Sequence, residues 1–210
     1  MIHFNKCRIR INRKIIYTEP ESFSVHPGEV CILTGENGAG KTTLLNSVIG
    51  QTNIFRGDIK LSLDKHCTIT PTNRTKLEQL ANNGVGISFQ EPILHPEMNV
   101  DETLSLLPSK TILPTSVHEY FCENGIMNSQ CGELSYGEKK LVCLSIALAV
   151  GKKICLLDEP FAGANEDTVP YIAKFIDDHK KLKSAILIVE HRHDDVNEIH
   201  EKIVEVKCND

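Results

Sequence analysis

The spacing of apolar residues changes character several times along this chain of 210 residues. Through the first 25, MIHFNKCRIRINRKIIYTEPESFSV, short β-branched pieces are separated by turn residues, which predicts an antiparallel sheet. HPGEV (His26 to Val30) reads as a turn into the apolar run Val30 to Leu33, a buried strand. Lys41 to Ile49 has helical spacing, and Gly50 ends it. GDIKLSL predicts another strand, NRTKLEQLANN a helix, and VGISF (Val85 to Phe89) a short buried strand.

From Glu91 to Glu133 four prolines, Pro92, Pro96, Pro108 and Pro114, punctuate short helical pieces such as VDETLSLL and SVHEYFCE. This stretch predicts a small helical insertion with few strand signals. Ser135 to Val150 reads as one long helix. KICLL predicts a fully buried strand, EDTVPYIAKFIDDHKK a mostly amphipathic helix, and SAILIVE a second buried strand; HDDVNEIH and KIVEV close the chain. Strands and helices alternate in this half, so its sheet is expected to be parallel and covered on both faces. A length of 210 residues suits one domain, 1–210, with the helical insertion at about 91–150.

Composition narrows the partners. The formal net charge is −5, from 28 acidic and 23 basic residues, which gives no basic excess for nucleic acid. The basic run Arg8, Arg10, Arg13, Lys14 is spaced like the wet face of an edge strand. No apolar run approaches the ~18 residues that cross a bilayer, and no signal-peptide pattern opens the chain. A soluble protein is expected, whose membrane role, if any, comes through a partner. None of the eight cysteines is paired as C-x-x-C, and Cys31, Cys143 and Cys155 lie in apolar runs. They read as small buried hydrophobes in a reducing cytoplasm.

The candidate chemistry begins at LTGENGAGKTT (Leu33 to Thr43). Glycines let successive N–H groups converge on an anion, and a following helix adds its positive dipole end. Gly35 to Thr42 fits G-x-x-x-x-G-K-[ST], after a strand pattern and before a helix pattern. The expected ligand is a nucleoside triphosphate, with Lys41 supplying charge and the Thr42 hydroxyl a magnesium ligand. Asp158 and Glu159 end the apolar run KICLL, where uncompensated charge is costly. Asp158 would hold Mg²⁺ through water, and Glu159 would orient and polarise an attacking water. In LSYGEKKLVCLSIAL, Ser135 and Glu138 form a capping-box pattern. Gly137 is a poor helix former in a first turn, which makes sense if something approaches that backbone closely. This helix start is a second phosphate-binding surface.

Together these residues resemble the nucleotide-binding subunit of an ABC (ATP-binding cassette) transporter, over nearly the whole chain and in the family's order. GENGAGKTT (Gly35, Glu36, Asn37, Gly38, Ala39, Gly40, Lys41, Thr42, Thr43) resembles its Walker A loop, and Gln90 in ISFQEP its Q-loop. LSYGE resembles the LSGGQ signature, ICLLDEP the Walker B strand with Glu159 at the catalytic position, and His191 in LIVEHR the switch histidine. The resemblance implies an α/β fold: a P-loop NTPase core with a mostly parallel sheet, an N-terminal antiparallel β subdomain and a short helical subdomain. It implies Mg²⁺-dependent ATP hydrolysis in a head-to-tail homodimer or heterodimer of such chains. Each ATP would lie between the Walker A loop of one chain and Ser135 to Gly137 of the other. Gln90 would sense Mg²⁺ and water, and His191 would contact the γ-phosphate. A separate transmembrane permease would hold the chain at the inner face of the membrane, and no nucleic-acid partner is expected.

Departures are Tyr136 and Glu138 in the signature, Asn165 in FAGAN where aspartate is usual, and a short helical insertion. Asn165 bears on communication between the two sites. By spacing, Ile11 falls where an aromatic normally stacks on adenine, and Tyr17 is the nearest candidate. The chain ends soon after His191, which leans toward export or a minimal cassette. A soluble ABC ATPase acting on DNA or ribosomes is the competing reading; the sequence has no room for long coiled-coil heptads and only one cassette. A plain nucleotide kinase leaves LSYGE and His191 unexplained.

Overall fold

One continuous sheet organises the computed structural model, which describes residues 1–64, 67–72, 74–107, 113, 115–166, 168–190 and 202–209. Its strands are β1 (Ile2–Ile11), β2 (Lys14–Glu19), β3 (Ser22–Val25), β4 (Val30–Thr34), β5 (Ile54–Asp64), β6 (Cys67–Ile69), β7 (Val85–Ser88), β8 (Ile154–Asp158), β9 (Ala185–Val189) and β10 (Lys202–Asn209). The helices are α1 (Lys41–Val48), α2 (Leu77–Asn82), α3 (Val100–Ser105), α4 (Thr115–Glu123), α5 (Tyr136–Val150) and α6 (Val169–Lys181). The spatial order is β6-β5-β1-β2-β10-β4-β9-β8-β7, with β3 also pairing β1.

The sheet has two halves. β10, β4, β9, β8 and β7 run parallel. β1 pairs antiparallel with β2, β3 and β5, and β5 with β6. β10 joins the halves, antiparallel to β2 and parallel to β4. The basic run therefore does not lie on an edge strand. β1, with Arg8 and Arg10, is flanked on both sides, and its alternation reflects one wet face rather than a free edge. Arg10 instead lies over the Phe55 ring, 3.6 Å from its centroid.

The central strands are apolar at every position because both faces are covered. Cys31 and Leu33, Leu156, and Leu187 point into a core shared with α1 and the antiparallel half. Their neighbours Val30 and Ile32, Leu157, and Ile186 and Ile188 point into a second core built on α4, α5 and α6. α5 packs against β7, β8 and α6, so it is apolar over most of its circumference rather than along one stripe. Cys31 and Cys155 are fully buried as expected, but Cys143 is only half-buried, because it lies on the part of α5 that these partners leave open. α2 is shorter than its sequence pattern, and HDDVNEIH lies outside the described residues.

Parallel register brings four strand ends to one edge of the sheet. Leu33 pairs with Val189, Asp158 with Val189, and Ser88 with Leu157. The glycine loop, Asp158–Glu159 and Gln90 leave from that edge, the usual place for ligands in open α/β sheets.

Candidate functional site

The glycine loop turns from β4 into α1 through a left-handed residue. Gly40 caps α1 at φ 95°. A Cβ there would also lie 2.4 Å from Ile16 Cδ1 of β2, so only glycine fits this bend. Lys41 opens α1 and is 5% exposed. Its Nζ donates to the Gly35 carbonyl at 2.8 Å and to that of Glu36 at 3.0 Å, so the ammonium lies inside the loop it follows. Burial pulls its pKa down, opposed by the carboxylates of Glu159 and Asp158.

Asn37, Gly38, Gly40, Lys41, Thr42, Thr43, Gln90 and Glu159 line a cleft of about 580 Å³. The Thr42 hydroxyl lies 3.2 Å from Asp158 Oδ1, and Asp158 is 2% exposed. Glu159 is half-buried and held at φ 49°, with its N–H donating to Val189 O at 2.9 Å. A positive φ on a non-glycine residue is a strained conformation that concentrates at functional sites. Gln90 Nε2 lies 3.4 Å from Glu159 Oε2. Three distant stretches of sequence thus meet: the loop with α1, Gln90 two residues past β7, and the carboxylates at the end of β8. Thr42 and Asp158 offer only oxygen donors, the chemistry magnesium prefers. Among the described residues no group of three or more His, Cys, Asp or Glu could cage a metal, and magnesium rarely uses such a cage, since substrate phosphates complete its shell.

Ser135 and Gly137 stand apart from this cleft. Ser135 is exposed at the start of α5 in a complete capping box: its hydroxyl accepts from Glu138 N–H at 3.3 Å and donates to Glu138 Oε2 at 2.7 Å. Gly137 has an in-chain reason. A Cβ there would lie 2.8 Å from the Gly163 carbonyl, and Gly163 in turn lies against the Tyr136 ring. What approaches that backbone in this chain is the loop after β8. In the same loop Asn165 Oδ1 accepts from the N–H and hydroxyl of Thr168, each at 2.9 Å. An aspartate oxygen has the capacity to accept the same two bonds. Tyr17 lines an adjoining recess of about 380 Å³ with β10 and with Asn37 and Gly38, which border the cleft as well, while Ile11 is 39% exposed. His191 lies outside the described residues.

One residue escaped sequence reading. Lys140 is 1% exposed, and its Nζ donates to three backbone carbonyls, those of Phe89, Gln90 and Asp158. The available signal was position: Lys140 stands one turn before Leu144 in a helix that is apolar over most of its circumference.

The sequence profile of the ABC transporter family matches residues 19–162, more than half of the chain. The chain is 30% identical to the lipopolysaccharide export system ATP-binding protein LptB of Acidithiobacillus ferridurans over 85% of its own length and 75% of that protein's. It is 28% identical to the ribose import ATP-binding protein RbsA of Bacillus subtilis, over 87% of its own length but only 38% of that protein's. Of several other curated import proteins, too, it spans between a third and about half. Among solved structures it superposes on an ATP-binding cassette of an ABC transporter in its ADP conformation with a TM-score of 0.75 and 25% identity, covering 98% of this chain and 89% of that one. A cassette bound to ADP and Pi in a dimeric post-hydrolysis state gives 0.76 at 19% identity, covering 99% and 94%, a likeness of fold. The chain belongs to the ABC transporter family.

Proposed function

We propose that this chain binds and hydrolyses ATP and drives a separate transmembrane permease from the cytoplasmic face of the membrane. The observation that carries the proposal is the meeting of Lys41, Thr42, Gln90 and Glu159 on one cleft, with Asp158 beside Thr42. The loop from Gly35 to Thr43 cradles the phosphates with its N–H groups, and Lys41 places its charge on the β and γ phosphates. Thr42 and Asp158 would hold Mg²⁺, which when bound neutralises charge on the phosphate oxygens. Glu159 polarises the attacking water, and Gln90, within reach of its carboxylate, positions it. His191 is assigned to the γ-phosphate by its place in the family's order. The exposed start of α5, Ser135 to Gly137, covers the nucleotide of a second chain.

Glu159→Gln tests the chemistry. It removes the base and leaves the phosphate cradle, so ATP binding persists, turnover falls to background, and an ATP-locked dimer accumulates on a sizing column. Parental turnover would refute the role of Glu159. The shared site is tested by mixing Ser135→Arg with Lys41→Ala after crosslinking has established self-pairing. Each heterodimer then has one intact site, and nucleotide trapping returns at no more than half the parental level. A mixture that traps no more ATP than either variant alone refutes sharing.

A further inference from the structure

Lys140 is an unusual residue for a core position. Its neighbours along the buried side of α5 are Leu141, Leu144 and Leu148, and a methionine would fill the same space without desolvating a charge, which is expensive. The ammonium instead uses all three of its N–H groups on carbonyls: Gln90 at 2.7 Å, Phe89 at 3.0 Å and Asp158 at 3.0 Å. Burial pushes its pKa down, and the pull of Asp158, with smaller contributions from Cys143, Glu159 and Glu190, opposes this. The Gln90 carbonyl accepts a second bond from α5, from the Tyr136 hydroxyl at 3.2 Å.

These carbonyls belong to two strand ends. Phe89 and Gln90 follow β7, and Asp158 is the last residue of β8, directly before Glu159. β7 and β8 are hydrogen-bonded only as far as Ser88 and Leu157. Beyond that pair Lys140 links the two segments through its three bonds. The two side chains it keeps together are those 3.4 Å apart at the cleft.

We propose that Lys140 is a positioning residue for hydrolysis, its ammonium clamping the Gln90 backbone to the Asp158 backbone so that Gln90 and Glu159 stay in register at the attacking water. The inference rests on the ATP-hydrolysis reading above. Lys140 is not among the residues that line the cleft; it acts through the two segments whose carbonyls it holds. Small displacements of reacting groups are costly in rate, so losing the clamp lowers turnover by about tenfold or more. The phosphate cradle is built on β4 and α1, so nucleotide affinity stays within about twofold of the parent.

The test compares Lys140→Met, which keeps volume and removes every donor, with Lys140→Gln, which returns two neutral donors to the carbonyls. ATP turnover, nucleotide affinity and amide hydrogen exchange in the Gln90 and Asp158 segments are measured on each. A clamp predicts turnover in the order parent, Gln, Met, with faster exchange confined to those two segments. A mere packing role predicts the reverse order for Gln and Met, and that result overturns the proposal, as does parental turnover in Lys140→Met. If neither variant folds, Tyr136→Phe decides. It removes one bond from the same Gln90 carbonyl, and because Tyr136 also lies on the surface assigned to a second chain's nucleotide, amide exchange and not turnover is the readout. Faster exchange confined to the Gln90 and Asp158 segments supports the clamp, and unchanged exchange in both overturns it. If the parent itself hydrolyses no ATP, the hydrolysis reading fails separately. Exchange then judges the clamp alone: lost protection in Lys140→Met supports it, and unchanged protection overturns it.

Discussion

Gly137→Ala sets two well-measured effects against each other. Helix propensity alone favours the change, by up to about 1 kcal/mol in a helix interior and less at the second helical position. The structure says the opposite. The new Cβ would stand 2.8 Å from the Gly163 carbonyl, where ordinary contact begins at 3.4 Å. The gap must open by roughly half an ångström, and the obstacle is backbone, not the tip of a flexible side chain. Nor can Gly163 easily retreat, since it is held at φ 75° with the Tyr136 ring against it. Overpacking of this kind costs about 1–3 kcal/mol. Net of propensity, a loss of about 1–2 kcal/mol remains, a fall in Tm of roughly 2–8 °C for a chain of this size. Urea unfolding and calorimetry of the nucleotide-free protein at matched concentration read the sign directly. A variant as stable as the parent, or more stable, would refute the close approach of the two backbones.

Lys41→Ala removes the one full positive charge of the glycine loop, so ATP hydrolysis and most nucleotide affinity are lost; tight ATP binding by calorimetry at moderate salt would count against the site. Burial pushes the thiols of Cys7 and Cys31 up to about 12, and that of Cys155 higher still, whereas Cys122 is exposed. A thiol reagent at pH 8 is therefore expected to label Cys122 first and to reach the other three only after unfolding, as read by mass spectrometry of the digested protein. His179 is 3% exposed and its pKa is lowered by burial from its ordinary value near 6.5. The unfolded chain then binds the extra proton first, so stability falls as pH drops below about 6.5, and His179→Gln flattens that part of the Tm–pH curve; equal slopes would refute it.

Much of this architecture was legible because its signals are local. The glycine spacing before Lys41, the capping box at Ser135, and the unbroken apolar runs at Val30, Ile154 and Ala185 each depend on a few adjacent residues. Their physical meaning survives without knowledge of their neighbours. What escaped depends on which strand lies beside which. The arginines of β1 alternate as on an edge strand, yet only the pairing with β5 and β2 reveals an interior one. Gly137 announced a close approach, but its partner Gly163 is brought there by the turn after β8. Lys140 was hidden in the same way, since its three carbonyls come from residues 18 to 51 positions away. A periodicity reading assigns a lysine to solvent and cannot see that a buried tripod of acceptors is waiting for it.

The seam at β10 has a consequence for how the chain reaches this structure. β2 pairs with β10 across some 190 residues of sequence, as Tyr17 does with Lys207. Closing so long a loop adds entropy only slowly with its length, but it must be complete before the contacts reward it. The glycine loop rests on both sides of that seam, with Gly40 against Ile16 of β2 and Gly35 against the Val206 carbonyl of β10. The phosphate cradle is therefore expected to mature late, after each half of the sheet has condensed on its own core. Nucleotide added during refolding would then leave early collapse untouched and act only on the final step, stabilising the closed sheet by mass action.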